Sequence, residues 1–84
     1  MSYSVGVSSG AARELRKLPP QVQPGILDAI LGLADDPRPP GCRKLTDRPD
    51  WRIRVGEYRV IYDIDDTAQT VTVTRVVHRK DAYR

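Results

Sequence analysis

The sequence predicts an α+β fold: one antiparallel sheet with a helical hairpin packed on one face, all in a single domain spanning residues 1–84. Three observations lead there. Apolar residues at helical spacing are confined to the first half of the chain. Alternating, β-branched and aromatic segments fill the second half. Between two of those segments lies Gly56-Glu57, a pair suited to a two-residue hairpin turn. The predicted order is β-α-α followed by three or four strands.

Each element has its own reason. Tyr3-Ser4-Val5-Gly6-Val7 alternates apolar with small residues and reads as a short strand. Ser8 carries the side-chain oxygen that caps a helix, and Ala11, Leu15 and Leu18 follow as an apolar stripe. Pro19-Pro20 ends this helix, because proline disfavours a helical conformation in the residue before it. Val22, Ile26, Ala29, Ile30, Leu33 and Ala34 form a second stripe. Pro24 is compatible only with a first turn, so this helix begins near Gln23 and stops at Asp35-Asp36-Pro37. Pro37-Arg38-Pro39-Pro40-Gly41 is a stiff loop. Arg43-Lys44-Leu45 reads as a short edge strand with Leu45 inward, and residues 46–50 as a turn. After the hairpin, residues 65–69 form a second turn, and Thr70 to Val77 is a strand by composition. Strict alternation from Val71 and Val73 would bring Arg75 onto the apolar face. Either a bulge intervenes or the core ends at Val73.

The hairpin, Trp51-Arg52-Ile53-Arg54-Val55-Gly56-Glu57-Tyr58-Arg59-Val60-Ile61-Tyr62-Asp63-Ile64, organises the rest. Successive side chains point to opposite faces of a strand. A type II′ turn at Gly56-Glu57 sets Val55 against Tyr58, Ile53 against Val60 and Trp51 against Tyr62. That is one apolar face. The other face sets Arg54 directly opposite Arg59, with Arg52 beside them. Like charges opposed in a sheet cost roughly 0.2–1 kcal/mol. A solvated basic face is the ordinary meaning of isolated strand arginines. Three gathered on one open face suit a multiply charged anion, because guanidinium matches phosphate bidentately. Arg43, Lys44 and Arg48 extend this surface, and a tail leaving the last strand can bring Arg79 and Tyr83 to it.

Composition agrees with a small core of Leu, Ile, Val and Tyr, since the chain has no Phe and one Trp. The lone Cys42 excludes an internal disulfide and a cysteine-based zinc site. No apolar run approaches the ~20 residues that cross a bilayer. The N-terminus lacks the basic and apolar regions of a signal peptide. A soluble, cytoplasmic protein is expected, with no membrane, metal or cofactor. The net charge is +3. Through Pro40 the charges balance, so the whole excess lies from Gly41 onward and points to a polyanionic or acidic partner.

The element order and several motifs resemble the RelE/ParE superfamily of toxins from bacterial type II toxin–antitoxin pairs. The resemblance covers nearly the whole chain. It is carried by Glu14-Leu15-Arg16-Lys17-Leu18-Pro19, by Asp36-Pro37 and Lys44-Leu45, by the stretch from Trp51 to Tyr62, and by His78-Arg79-Lys80-Asp81-Ala82-Tyr83. It implies a RelE-like fold and, for the RelE branch, ribosome-dependent cleavage of messenger RNA in the A site. It assigns the catalytic set to Arg52, Arg54, Arg59, Arg79 and Tyr83, and RNA contacts to Lys44, Arg48, His78 and Lys80. It implies a cognate antitoxin, the ribosome and mRNA as partners. The alternatives are a ParE-like inhibitor of DNA gyrase and an inactive remnant that only binds its antitoxin.

The implied reaction is attack of a ribose 2′-hydroxyl on the adjacent phosphate, giving a 2′,3′-cyclic phosphate and a 5′-hydroxyl. One feature departs from the family. Relatives often carry lysine at the positions of Arg52 and Arg54, and the lysine matching Arg54 is a proposed base. Arginine stays protonated and cannot take that role. His78 is the only side chain here whose ordinary pKa lies near neutrality.

Overall fold

The computed structural model describes residues 2–45 and 50–81. Its elements are β1 (Ser4–Val7), α1 (Ser9–Arg16), α2 (Gln23–Gly32), β2 (Arg43–Lys44), β3 (Trp51–Val55), β4 (Tyr58–Asp65) and β5 (Thr70–His78). The five strands form one sheet in the order β1-β5-β4-β3-β2. Strands β2 to β5 are antiparallel, as expected. β1 is not: it pairs parallel with β5, Val5 beside Val71, so the sheet is mixed. The two helices carry the chain from one sheet edge, β1, to the other, β2. Alternation within a strand says nothing about its partner, which is why β1's direction escaped the sequence.

The local signals hold. Ser8 caps α1, its Oγ accepting from the Ala11 N–H at 3.1 Å. α2 begins at Gln23 with Pro24 in its first turn. The hairpin register places Val55 with Tyr58, Ile53 with Val60, Trp51 with Tyr62 and Arg54 with Arg59. Gly56 has φ +60°, the positive value that the first position of a type II′ turn needs and that glycine adopts without a Cβ clash.

β5 contains the bulge. Ile61 pairs with Arg75 but Tyr62 with Val73, so Thr74 is an extra residue. Val76 then replaces Arg75 on the apolar face. The groups that the bulge takes out of the ladder find other partners. Val76 N–H donates to Glu14 Oε1 at 3.0 Å, and Glu14 Oε2 holds Arg75 Nη2 at 3.1 Å. Thr74 Oγ1 donates to the Ile61 carbonyl, and Ser8 Oγ donates to the Thr74 carbonyl.

The core joins Ala11, Ile26, Ile30 and Leu33 from the helical segment to Ile53, Val60, Tyr62, Val71, Val73 and Val76 from one sheet face. Tyr62 is fully buried, and its hydroxyl donates to the Pro37 carbonyl at 2.8 Å. Burial pushes that phenol above its ordinary pKa. Beside it, Arg38 lies 5.0 Å from the Trp51 ring centroid and pairs with Asp66 at 2.9 Å; Asp66 also accepts from the Tyr3 hydroxyl at 2.7 Å. These contacts tie the chain leaving α2 to β1, β3 and the β4–β5 turn.

Tyr62→Phe should leave the Pro37 carbonyl without its donor and cost about 1–3 kcal/mol, read from urea unfolding. The hydrogen bonds from Arg38 and then Tyr3 hold the Asp66 carboxyl below its ordinary pKa. A carboxyl lowered in the folded state stabilises above its unfolded value and loses that contribution as pH falls. The gap in urea midpoint between wild type and Asp66→Asn should therefore be present at pH 7 and close below about pH 4.

Candidate nucleic-acid interface

The sheet face away from the helices carries the predicted arginines. Arg54 stands opposite Arg59, and Arg52 lies between Arg43 of β2 and Ile61 of β4. On the far side Arg59 opposes Val77. Ile61 and Val77 are buried on this face, outside the main core cluster. The guanidiniums thus rise around an apolar floor, an arrangement that suits arginine's long stem and charged head.

The Arg59 guanidinium has its pKa lowered. Burial is the first cause, followed by the charges of Arg54, Arg52 and Arg79, while Glu57 opposes them. Arg59 still remains a cation. Arg79 lies one residue beyond the Tyr58–His78 pair, on the face parity of Val77 and Arg59. Its backbone N–H donates to the Glu57 carbonyl at 2.8 Å, and its Nε pairs with Glu57 Oε2 at 2.7 Å.

A groove of about 680 Å³ runs beside these arginines. Ala29 and Gly32 of α2 and residues 39–41 form its apolar wall, and Arg43, Arg52, Arg54 and Arg59 its charged side. Among the described residues no carboxylate lines it. Gly41, at φ +89°, turns the chain out of the proline loop and into β2. A cleft that is apolar on one side and cationic on the other can take an unstacked base and its phosphates together.

The structure brings together Arg52, Arg54, Arg59 and Arg79 and separates other residues from them. Lys44 pairs with Trp51, so alternation places it on the opposite face parity from Arg52. Arg43 occupies the place beside Arg52 instead. The sequence placed Arg43 and Lys44 together on the basic surface, and only the β2 register separates them. His78 pairs with Tyr58, with ring centroids 5.3 Å apart at 79°, and so shares that residue's face rather than Arg59's. Its Nδ1 accepts from the Lys80 N–H at 3.2 Å. Lys80 itself is exposed beyond the sheet. Arg48 and Tyr83 lie outside the described residues.

The chain matches the family model for the ParE toxin of the type II toxin–antitoxin system parDE over residues 5–83. It is 38% identical to Toxin RelG of Mycobacterium tuberculosis over 88 aligned positions, covering 100% of this chain and 99% of the relative. It is 31% identical to Toxin RelE of the same organism, covering 98% and 87%. Among solved structures, the RelBE2 toxin–antitoxin complex of M. tuberculosis contains a chain that superposes with a TM-score of 0.84 at 32% identity, covering 94% of this chain and 100% of that one. The fold is that of RelE toxins, and the chain belongs to the RelE/ParE superfamily of toxins from type II toxin–antitoxin systems.

Proposed function

We propose that this toxin is a ribosome-dependent endoribonuclease that cuts messenger RNA in the A site. The observation that carries the reading is the gathering of Arg52, Arg54 and Arg59 on one face, with Arg79 on the same parity at its end, beside a groove lined by no carboxylate among the described residues. Cleavage through a 2′,3′-cyclic phosphate passes through a phosphorane with extra negative charge. Fixed cations lower that barrier most where water is partly excluded. Arg54 and Arg59, directly opposed, clasp the scissile phosphate. Arg52 holds the neighbouring backbone. Arg79 stands near the leaving 5′-oxygen. Tyr83 stacks on a base or orients a reacting oxygen, and Arg48 and Lys80 contact flanking RNA, while Lys44 and His78, on the other face parity, stay out of this contact set.

None of the four arginines can serve as general base. With Nδ1 accepting from the Lys80 N–H, the neutral His78 ring carries its proton on Nε2, and its position on the Tyr58 side keeps it from the clasped phosphate. Rate enhancement therefore comes mainly from positioning and charge. Relatives solved as complexes with RelB antitoxins support a cognate antitoxin here too. A folded-on-binding segment carrying Asp or Glu opposite Arg54 or Arg59 would silence this face. The second reading is gyrase inhibition, favoured by the ParE description of the matching family model.

Primer extension on a defined mRNA, with and without ribosomes, tests the proposal. Wild type should cut at A-site codons only when ribosomes are present. Arg79→Ala should cut about 10²–10³-fold more slowly, with folding stability changed by no more than about 1 kcal/mol because its ion pair is exposed. Arg54→Glu separates function from stability. Removing the opposed like charges should raise stability by roughly 0.2–1 kcal/mol while abolishing cleavage. If no lane shows cuts and purified gyrase loses supercoiling activity, the second reading takes over.

A further inference from the structure

We propose that Glu57, at the tip of the β3–β4 hairpin, is a positioning residue that aims the Arg79 guanidinium into the arginine face. The inference rests on the endoribonuclease reading above and adds a residue to it.

Arg79 follows the last residue of β5, where the ladder no longer holds the chain. Two contacts from one residue replace it. The Arg79 backbone N–H donates to the Glu57 carbonyl at 2.8 Å, and the Arg79 Nε pairs with the Glu57 carboxylate at 2.7 Å. The first fixes where the main chain leaves the sheet, and the second fixes which way the side chain turns. Next to them the His78 ring packs edge-on against Tyr58, so two consecutive positions are held to the hairpin and its turn, and the Lys80 N–H donates back to His78 Nδ1.

The atom used matters. The Glu57 carboxylate lies against Nε, the inner nitrogen of the guanidinium. The outer edge, Nη1 and Nη2, is the part that grips a phosphate in the two-pronged way arginine favours. The charges explain why such a guide is needed. The charge of Arg79 adds to those of Arg54 and Arg52 in disfavouring the Arg59 cation, so like charges meet at this end of the sheet. Glu57 supplies the opposing charge at the rim, while the groove lining contains no carboxylate among the described residues. It therefore offsets repulsion without occupying the place of the substrate phosphate. Both side chains of the pair are about half exposed, at 52% and 55%. Exposed pairs contribute little to stability, so the expected consequence is on rate.

The test is single-turnover cleavage of ribosome-bound mRNA by wild type, Glu57→Gln, Arg79→Ala and the double variant. Glu57→Gln keeps the size and the backbone contact and removes the charge. Its cleavage rate should fall about tenfold, with half-saturation by ribosomes moving less than about twofold and the melting temperature unchanged. In the Arg79→Ala background the same substitution should have no further effect, since a guide has nothing left to aim. Wild-type cleavage by Glu57→Gln, faster cleavage, or an undiminished effect on the Arg79→Ala background would each overturn the positioning role. Absence of cuts by wild type would overturn the parent reading instead.

Discussion

The site depends on the bulge at Thr74. One extra residue shifts the parity of everything after it in β5. Were Thr74 paired with Ile61 in an unbroken ladder, Arg75 would fall opposite Val60 in the core, and His78 rather than Arg79 would lie at Glu57. With the bulge, Val76 fills the core, Val77 joins the floor of the arginine face, and Arg79 is delivered to Glu57. A bulge breaks ladder hydrogen bonds, and a broken buried bond is costly. Here the broken positions are taken up by Ser8, at the cap of α1, and by Glu14, on its exposed-to-buried boundary. The helix therefore does more than cover the sheet. It holds the irregularity that makes the two sheet faces different.

The arginine face sets a folding cost against a gain in buried apolar surface. Opposed like charges weaken the hairpin, yet Ile61 and Val77 beneath them bury apolar surface on the side away from the helices. The long arginine stems suit that floor, and their heads remain charged at any physiological pH. Such a face attracts polyanions from a distance and loses its reach as salt rises. Lysine in the same places could shed its proton when buried. Arginine cannot, so these positions trade proton chemistry for a fixed field and planar, two-pronged grip.

The chain leaving α2 is fastened at one corner. Residues 36–38 are fastened by Tyr62 from beneath, by the Trp51 ring beside Arg38, and by Asp66 from the β4–β5 turn. The proline loop that follows is stiff in itself. Anchored at its start and turned by Gly41 at its end, it stands as the apolar wall across from the arginines.

How much of this was legible depends on whether the information was local. The helix cap at Ser8, the start of α2 at Gln23 and the Gly56 turn are set by residues next to one another in the chain. So is the hairpin register, and with it the gathering of Arg52, Arg54 and Arg59, because a two-residue turn leaves no choice of pairing. The sequence also showed that β5 must either bulge or end its core at Val73. It could not choose, because the groups that satisfy the bulge, Glu14 and Ser8, are some sixty residues away. Tertiary structure alone decided the rest. It set β1 parallel to β5, put Arg43 rather than Lys44 beside Arg52, and turned His78 away while joining Arg79 to Glu57. Each of these is a choice of partner between distant segments, and a strand's side-chain pattern encodes which face is buried but not which strand lies alongside.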